Sequence, residues 1–181
     1  LLFIRSADSS YLQKNGYPSV NGFDNFVQYL QTNYPSAYAT ASAPPPSAAD
    51  VFGTPVDMTG KKAITINIGD TLPANAPKNV DCSVGCYQTL NVKVKVGTTI
   101  TWVNESKVAH TVTAIKGLSL APNPATDIFD SKITSPITAK GGKFTYTVTT
   151  AAYNLNSKDH IVFYYCQIHP TTMYAELTIV P

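Results

Sequence analysis

The 181-residue chain carries little charge and no strong excess of either sign. Asp, Glu, Lys and Arg together make up 13% of the residues, and the formal net charge is only +2. Its longest run of basic residues is Lys61-Lys62. Proteins that bind nucleic acid need clustered Lys and Arg to contact the phosphates. We therefore expect no nucleic-acid partner.

Long apolar runs and nucleotide-binding glycine motifs are also missing. The apolar start Leu1–Ile4 ends at Arg5, and no segment approaches the ~20 apolar residues that a membrane-spanning helix requires. The sequence contains neither G-x-G-x-x-G nor a P-loop pattern, which are the signatures of dinucleotide and nucleoside triphosphate sites. We expect no membrane span in this chain.

Cysteine is scarce, and its three copies fall into two groups. Cys82 and Cys86 are four residues apart, whereas Cys166 stands alone. The most economical interpretation is one local disulfide and one free thiolate that is kept for a metal ion. The alternative is that Cys82 and Cys86 are two buried thiols. A disulfide would indicate an oxidising, extracytoplasmic location, in the periplasm, at the cell surface or outside the cell.

The first 60 residues differ in pattern from the rest of the chain. Residues 21–34 have the spacing of one short amphipathic helix, with apolar side chains at Phe23, Phe26, Val27 and Leu30. Residues 35–49 are rich in Ala, Ser and Pro, which is typical of an extended linker. We predict an N-terminal extension over residues 1–60. Its apolar stripe must pack on the main domain or on a neighbouring subunit, so homo-oligomerisation through the extension is one expectation.

From Lys61 onward, apolar and polar residues alternate in short segments that are separated by Gly and Pro. Seven or eight such segments with turn signals between them are typical of a β-sandwich. We predict an all-β, Greek-key β-sandwich domain over residues 61–181. The predicted strands lie at residues 63–68, 90–96, 99–104, 110–115, 143–148, 161–165 and 173–180.

A thiol, an imidazole and a thioether fall within eight residues at the junction of the last two predicted strands. They belong to Cys166, His169 and Met173. A short loop between paired strands can direct all three towards one point, and together they suit copper better than magnesium or calcium. His110, at the start of an earlier predicted strand, supplies the further ligand. We predict one copper ion per chain at this site.

The chain has only three histidines, so the choice of the second imidazole is narrow. His160 precedes Cys166 by six residues along one predicted strand, which places it roughly 20 Å away when extended. We therefore interpret His160 as a surface residue. A zinc site built from Cys and two His is the alternative that these ligand types leave open.

Several segments together resemble the cupredoxins, a family of mononuclear type 1 copper proteins that includes plastocyanin and amicyanin. The resemblance extends from about Lys61 to Pro181, about two-thirds of the chain. The segments that carry it are Val94–Asn104, His110–Thr113, Ile128–Ser131, Phe144–Tyr146 and Phe163–Pro170. The resemblance implies that Asn104 and Thr111 fix the ligand loops and hydrogen-bond around the thiolate. It also implies an apolar docking patch near the downstream ligand, formed from Val108, Ala109, Pro170 and Leu118.

Two functions are compatible with such a site. The first is a one-electron carrier that docks with a redox partner protein. The alternative is an enzyme with an open copper position that acts on a small molecule such as a nitrogen oxide. Pro170 and Met173 are separated by Thr171 and Thr172, one residue more than in a C-x-x-H-P-x-M loop. Strand parity nevertheless places Met173 on the apolar face, so we expect a weak Met173 thioether contact and electron transfer.

Overall fold

The computed structural model describes residues 52–73, 76, 82–117 and 123–181. The helix predicted over residues 21–34, the linker over 35–49 and any association through them lie outside the described residues and stay predictions. The domain boundary after residue 60 also stays a prediction. Within the described part of the chain, no helix has the length and apolar character needed to cross a membrane.

The described residues form a β-sandwich, which confirms the predicted fold class. They contain nine strands and one short helix, in the order β1 (Val56–Asp57), β2 (Ala63–Gly69), β3 (Cys86–Tyr87), β4 (Asn91–Lys95), β5 (Thr99–Asn104), β6 (Thr113–Ala114), β7 (Gly142–Thr147), α1 (Thr150–Asn154), β8 (Ile161–Tyr165) and β9 (Tyr174–Val180). Helix α1 begins at an N-cap, Thr149, whose hydroxyl accepts from the Ala152 N–H.

Two mixed sheets pack face to face. One has the strand order β1-β4-β9-β8-β6 and the other has β3-β2-β5-β7. Strands β2 and β5 pair in parallel, as do β4 and β9, whereas β8 and β9 form an antiparallel hairpin. The last hairpin therefore sits in the middle of its sheet, and its connecting loop opens at one end of the sandwich.

Alternation of side chains explains why these segments become strands with one buried face. In β5, Ile100 and Trp102 are fully buried while Thr99, Thr101 and Val103 are half-buried. The Trp102 ring lies between the sheets, with its centroid 5.6–5.8 Å from three other rings, those of Phe129, Phe144 and Tyr164. These aromatic groups contribute much of the apolar area that stabilises the sandwich.

The segment predicted as a continuous strand over residues 110–115 is mostly irregular, so this prediction is wrong in extent. Only Thr113–Ala114 pairs with β8. His110 instead forms an isolated bridge with Ile137, and Ile115 forms one with Pro124. The pairing partner therefore changes along the segment. His110 is not paired with β8, and it can face the end of the sandwich.

Burial extends to the outer face of the first sheet, where a carboxyl group is enclosed. Glu176 is 1% exposed, and its neighbours across the sheet, Asn91 and Phe163, are also buried. The Phe52 ring packs edge to face on Phe163, and the Asn91 amide donates to the Gly53 carbonyl. The Glu176 Oε2 atom has no hydrogen-bond partner among the described residues. Burial accordingly raises the pKa of Glu176 from 4.5 to about 7.

We predict that Glu176 makes the metal-free protein less stable as the pH rises from about 4.5 to about 7. Over this range the unfolded chain loses the Glu176 proton while the folded chain retains it, because the folded pKa is the higher one. Glu176→Gln should remove this decline, and the exposed Glu105→Gln should not. Urea unfolding at pH 5, 6, 7 and 8 measures the difference. Parallel pH profiles for wild type and Glu176→Gln would contradict the prediction.

Candidate metal centre

The loop that joins β8 to β9 is closed by backbone hydrogen bonds. The Cys166 N–H donates to the Met173 carbonyl at 3.1 Å, one step beyond the last ladder pair, Tyr165 and Tyr174. The His169 N–H donates to the Cys166 carbonyl at 3.2 Å. The loop is therefore a tight extension of the hairpin. Cys166 lies where the loop begins, and His169 follows after one hydrogen-bonded turn.

His110 reaches the same point from the other side of the sandwich end. Its backbone exchanges two hydrogen bonds with Ile137, at 3.1 and 2.8 Å. The Cys166 Sγ lies 3.7 Å from the His110 Nδ1 and 3.5 Å from the His169 Nδ1. The three potential ligand atoms all lie within 4.8 Å of one another. The structure therefore brings together the thiol and the two imidazoles that the sequence singled out.

The Cys166 sulfur is buried and has donors of its own. The Thr111 N–H points to the Cys166 Sγ at 3.3 Å, and the Thr111 hydroxyl lies 3.9 Å from it. That hydroxyl accepts from the Gln167 N–H at 2.6 Å, so its proton is free to point at the sulfur. Hydrogen bonds of this kind stabilise a thiolate and tune the metal that it binds.

Both imidazoles are held in the neutral form that a metal ion requires. Burial lowers the pKa of His110 to about 4, with a smaller contribution from His169 in the same direction and an opposing one from Asp70. Burial also lowers the pKa of His169. The two rings lie 5.0 Å apart between centroids. A neutral ring carries a lone pair on one of its two nitrogens, which is what a metal ion can bind.

The donor set fits copper. One buried thiolate and two neutral imidazoles are the three strong ligands of a trigonal Cys-His₂ copper site, and a buried methionine next to the set is the usual weak fourth ligand. Met173 is 1% exposed and is the backbone partner of Cys166. When bound, copper would supply a one-electron redox change at His110, Cys166 and His169.

His160 lies outside this cluster, as the sequence predicted. Its ring stacks on Tyr153 with centroids 3.8 Å apart, and its Nδ1 is 2.9 Å from the Tyr153 carbonyl oxygen. The residue is half-buried rather than on the open surface. Its position at the start of β8 leaves it at the far end of that strand from Cys166.

Asn104, at the end of β5, holds together the loop that carries His110. Its amide nitrogen donates to the Val108 and Ile137 carbonyls at 2.8 and 2.9 Å. Its amide oxygen accepts from the backbone and hydroxyl of Ser106. The resemblance implied that Asn104 fixes a ligand loop, and these contacts join the end of β5 to residues before and beyond His110.

The predicted disulfide between Cys82 and Cys86 is present, which leaves Cys166 as the free cysteine. Sequence reasoning missed what the disulfide loop does. Gly85 within it packs directly on the His110 ring, because a Cβ added at Gly85 would lie 2.6 Å from both Cε1 and Nε2 of that ring. The small loop therefore packs against the Cε1–Nε2 edge of one candidate ligand, and only glycine fits there.

We predict that Gly85→Ala disturbs the copper site, because the added methyl group must push the His110 ring aside. Gly97→Ala is the matched control. Both glycines have a positive φ, +97° and +89°, but nothing lies within 4 Å of a Cβ at Gly97. Both variants should lose about 1–2 kcal/mol of stability from the backbone strain. Only Gly85→Ala should alter the absorption and EPR spectra of the copper-loaded protein. Identical spectra in the two variants would contradict the packing argument.

Comparison with known proteins agrees with this geometry. Residues 74–180, more than half of the chain, match the model of a family described as copper binding proteins, plastocyanin/azurin family. No curated protein matches the chain in sequence.

Three solved structures illustrate similarity of fold alone. A novel purple cupredoxin from Nitrosopumilus maritimus is 23% identical over 63% of this chain and 98% of its own, with a TM-score of 0.42. An oxidised mutant of amicyanin is 19% identical over 65% of this chain and 81% of its own, with a TM-score of 0.39. A copper-containing nitrite reductase from Thermus scotoductus is 18% identical over 77% of this chain and 27% of its own, with a TM-score of 0.41.

The match over residues 74–180 includes every residue of the Cys-His₂ cluster and the methionine beside it. The chain therefore belongs to the plastocyanin/azurin family of copper-binding proteins, the cupredoxins.

Proposed function

We propose that this protein is a one-electron carrier with one copper ion per chain, held by His110, Cys166 and His169 and closed by the Met173 thioether. The observation that carries the proposal is the hydrogen bond from the Cys166 N–H to the Met173 carbonyl at the end of the β8–β9 hairpin. It ties the strongest copper ligand to the residue that would close the site. A closed, buried site favours electron transfer over chemistry on a bound small molecule.

The position of Met173 follows from the register of the hairpin. Residues that are directly opposite in an antiparallel pair point to the same face, with Cβ atoms about 4.5–5.5 Å apart. The hydrogen bond from the Cys166 N–H to the Met173 carbonyl continues this register one position past the last ladder pair, Tyr165 and Tyr174, and both side chains are buried. Met173 also shares its face with Ala175, Leu177 and Ile179, which are all core residues. This arrangement supports a thioether that lies beside the copper rather than one turned to solvent.

The extra loop residue does not separate the pair. The His169 carbonyl accepts from the N–H groups of both Thr172 and Met173, at 3.3 and 3.2 Å. This turn absorbs Thr171 and Thr172 between Pro170 and Met173. The longer loop, which on sequence alone left room for an open site, is therefore compatible with a closed one.

Rigid positioning is what the chain contributes to electron transfer. Cu(I) and Cu(II) prefer different geometries, and ligands that cannot relax keep the change between them small. Here, the backbone bonds of the loop, the Asn104 contacts and Gly85 restrain the ligands. Restraints of this kind act in the metal-free protein too, so they favour fast exchange of an electron.

An apolar rim next to the ligands supports docking with a redox partner protein. Val84, Val108 and Ile168 are 36%, 44% and 38% exposed, and each is a close chain neighbour of Gly85, His110 or His169. Of the patch implied by resemblance, Val108 and Pro170 are exposed, Ala109 is half-buried and Leu118 lies outside the described residues. A small apolar patch suits a transient complex. The disulfide supports an extracytoplasmic setting for that encounter.

We predict that Cys166→Ser abolishes the intense visible absorption of the copper-loaded protein, because that band requires a copper–thiolate bond. His160→Asn is the control: His160 is the histidine outside the cluster, and its φ of 53° is one that asparagine tolerates. The control should keep the full band and bind one copper per chain. A full band in Cys166→Ser, or its loss in His160→Asn, would refute the ligand assignment.

We predict that Met173→Leu shifts the visible spectrum and raises the reduction potential, because removal of the thioether leaves a site that favours Cu(I). Met58→Leu is the matched control, since the chain contains just these two methionines. Met58 is half-buried and packs against the core. An unchanged spectrum in Met173→Leu, together with rapid binding of nitrite or azide by the wild type, would favour the open-site enzyme instead.

A further inference from the structure

A serine hydroxyl contacts the far side of the His110 ring. The Ser106 Oγ lies 2.9 Å from the His110 Nε2, and both residues are fully buried. The Nδ1 of the same ring faces Cys166 Sγ at 3.7 Å. One nitrogen of the ring therefore contacts the Ser106 hydroxyl, and the other faces the candidate metal position.

The donors and acceptors around Ser106 can be assigned once the orientation of the Asn104 side-chain amide is known. One end of this amide faces the carbonyl oxygens of Val108 and Ile137, which can only accept. The other end faces the Ser106 N–H at 3.0 Å, which can only donate. The nitrogen must therefore occupy the first position and the oxygen the second.

The Ser106 hydroxyl has one proton and two close oxygen acceptors. The Asn104 Oδ1 lies 2.8 Å from the Ser106 Oγ, and the Val108 carbonyl oxygen lies 3.0 Å from it. Neither acceptor can donate. With the hydroxyl proton on one of these oxygens, the lone pairs of the Ser106 Oγ face the His110 Nε2 and the Val108 N–H, which lies 3.4 Å away. That contact is a hydrogen bond only if the Nε2 carries the proton.

We propose that Ser106 is a positioning residue that sets the tautomer of His110, so that the proton sits on Nε2 and Nδ1 presents its lone pair to copper. The chain of contacts runs from the Asn104 amide through the Ser106 hydroxyl to the ring. This inference rests on the proposed copper site and adds to it the group that prepares one ligand. A partner that fixes the second nitrogen of a ligating histidine typically contributes 10–100-fold to metal affinity.

Removal of the hydroxyl should be visible before any metal is added. In Ser106→Ala the Nε2–H would be buried without an acceptor, whereas a proton on Nδ1 could point at the Cys166 sulfur. The balance of tautomers should therefore move towards Nδ1–H. Copper would then have to displace that proton, and its affinity should fall about 10–100-fold.

The experiment records the ¹⁵N shifts of the His110 ring by NMR in the metal-free, thiol-reduced protein, and Cu(I) affinity by competition with a chromophoric chelator. Wild type should show the Nε2–H tautomer. Ser106→Ala should gain Nδ1–H and lose affinity, and Ser106→Thr, which keeps a hydroxyl, should recover the wild-type tautomer. The control Ser131→Ala removes a hydroxyl that accepts from the Val112 N–H and does not contact His110; it should change neither quantity.

The proposal is overturned if wild type shows Nδ1–H at His110, or if Ser106→Ala keeps the wild-type tautomer or the wild-type affinity. If Ser106→Ala does not fold, Nδ1–H at His110 in the wild-type spectrum still overturns the proposal. These outcomes are separate from a failure of the copper assignment, because the tautomer is measured without metal. Loss of the visible band in Cys166→Ser would still stand if Ser106 proved to be only a packing residue.

Discussion

The hydrogen bond from the Cys166 N–H to the Met173 carbonyl is the contact on which the rest of the site depends. It adds one backbone hydrogen bond beyond the last ladder pair, Tyr165 and Tyr174. The thiol thus directly follows a central strand of the sandwich, while His169 comes three residues later in a loop that this bond closes. A metal ion needs its ligands at one point. The end of a hairpin in the middle of a sheet can hold them there, because strands on both sides restrain its backbone.

The second half of the site comes from a distant part of the sequence, and buried polar contacts join the two halves. His110 is 56 residues from Cys166 along the chain. Thr111 bonds to the Cys166 sulfur, and Tyr87 donates to the Thr111 carbonyl at 2.7 Å. An unpaired polar group in such a place would destabilise the fold by about 1–3 kcal/mol. Satisfied contacts of this kind keep the ligands in one arrangement without metal.

Much of the fold could be predicted because its strands obey simple alternation. The predicted segment 99–104 coincides with β5, and 161–165 coincides with β8. Strand β3 and helix α1 escaped prediction because two and five residues are too few to show a period. The error at residues 110–115 has another cause. Isolated bridges to Ile137 and Pro124 depend on tertiary structure, which alternation does not report.

For the site too, local sequence patterns could be predicted, whereas contacts that depend on tertiary structure could not. Cys166 and His169 share one short loop, and the small number of histidines points to His110 as the second imidazole. Ser106 and Gly85 could not be predicted, since each acts on His110 through space. Glu176 shows the limit of strand parity. It lies on the face opposite Leu177, and that face is buried too because Phe52 and Asn91 pack nearby.

A copper titration of the purified protein, followed by visible absorption and EPR, tests whether the cluster is a type 1 copper centre. We expect one equivalent of Cu(II) to produce an intense thiolate-to-copper band and the narrow copper hyperfine splitting of a type 1 site. Both signals should stop growing at one copper per chain. A colourless complex, a wide hyperfine splitting, or tighter binding of zinc than of copper would contradict the claim that His110, Cys166 and His169 form a type 1 copper centre.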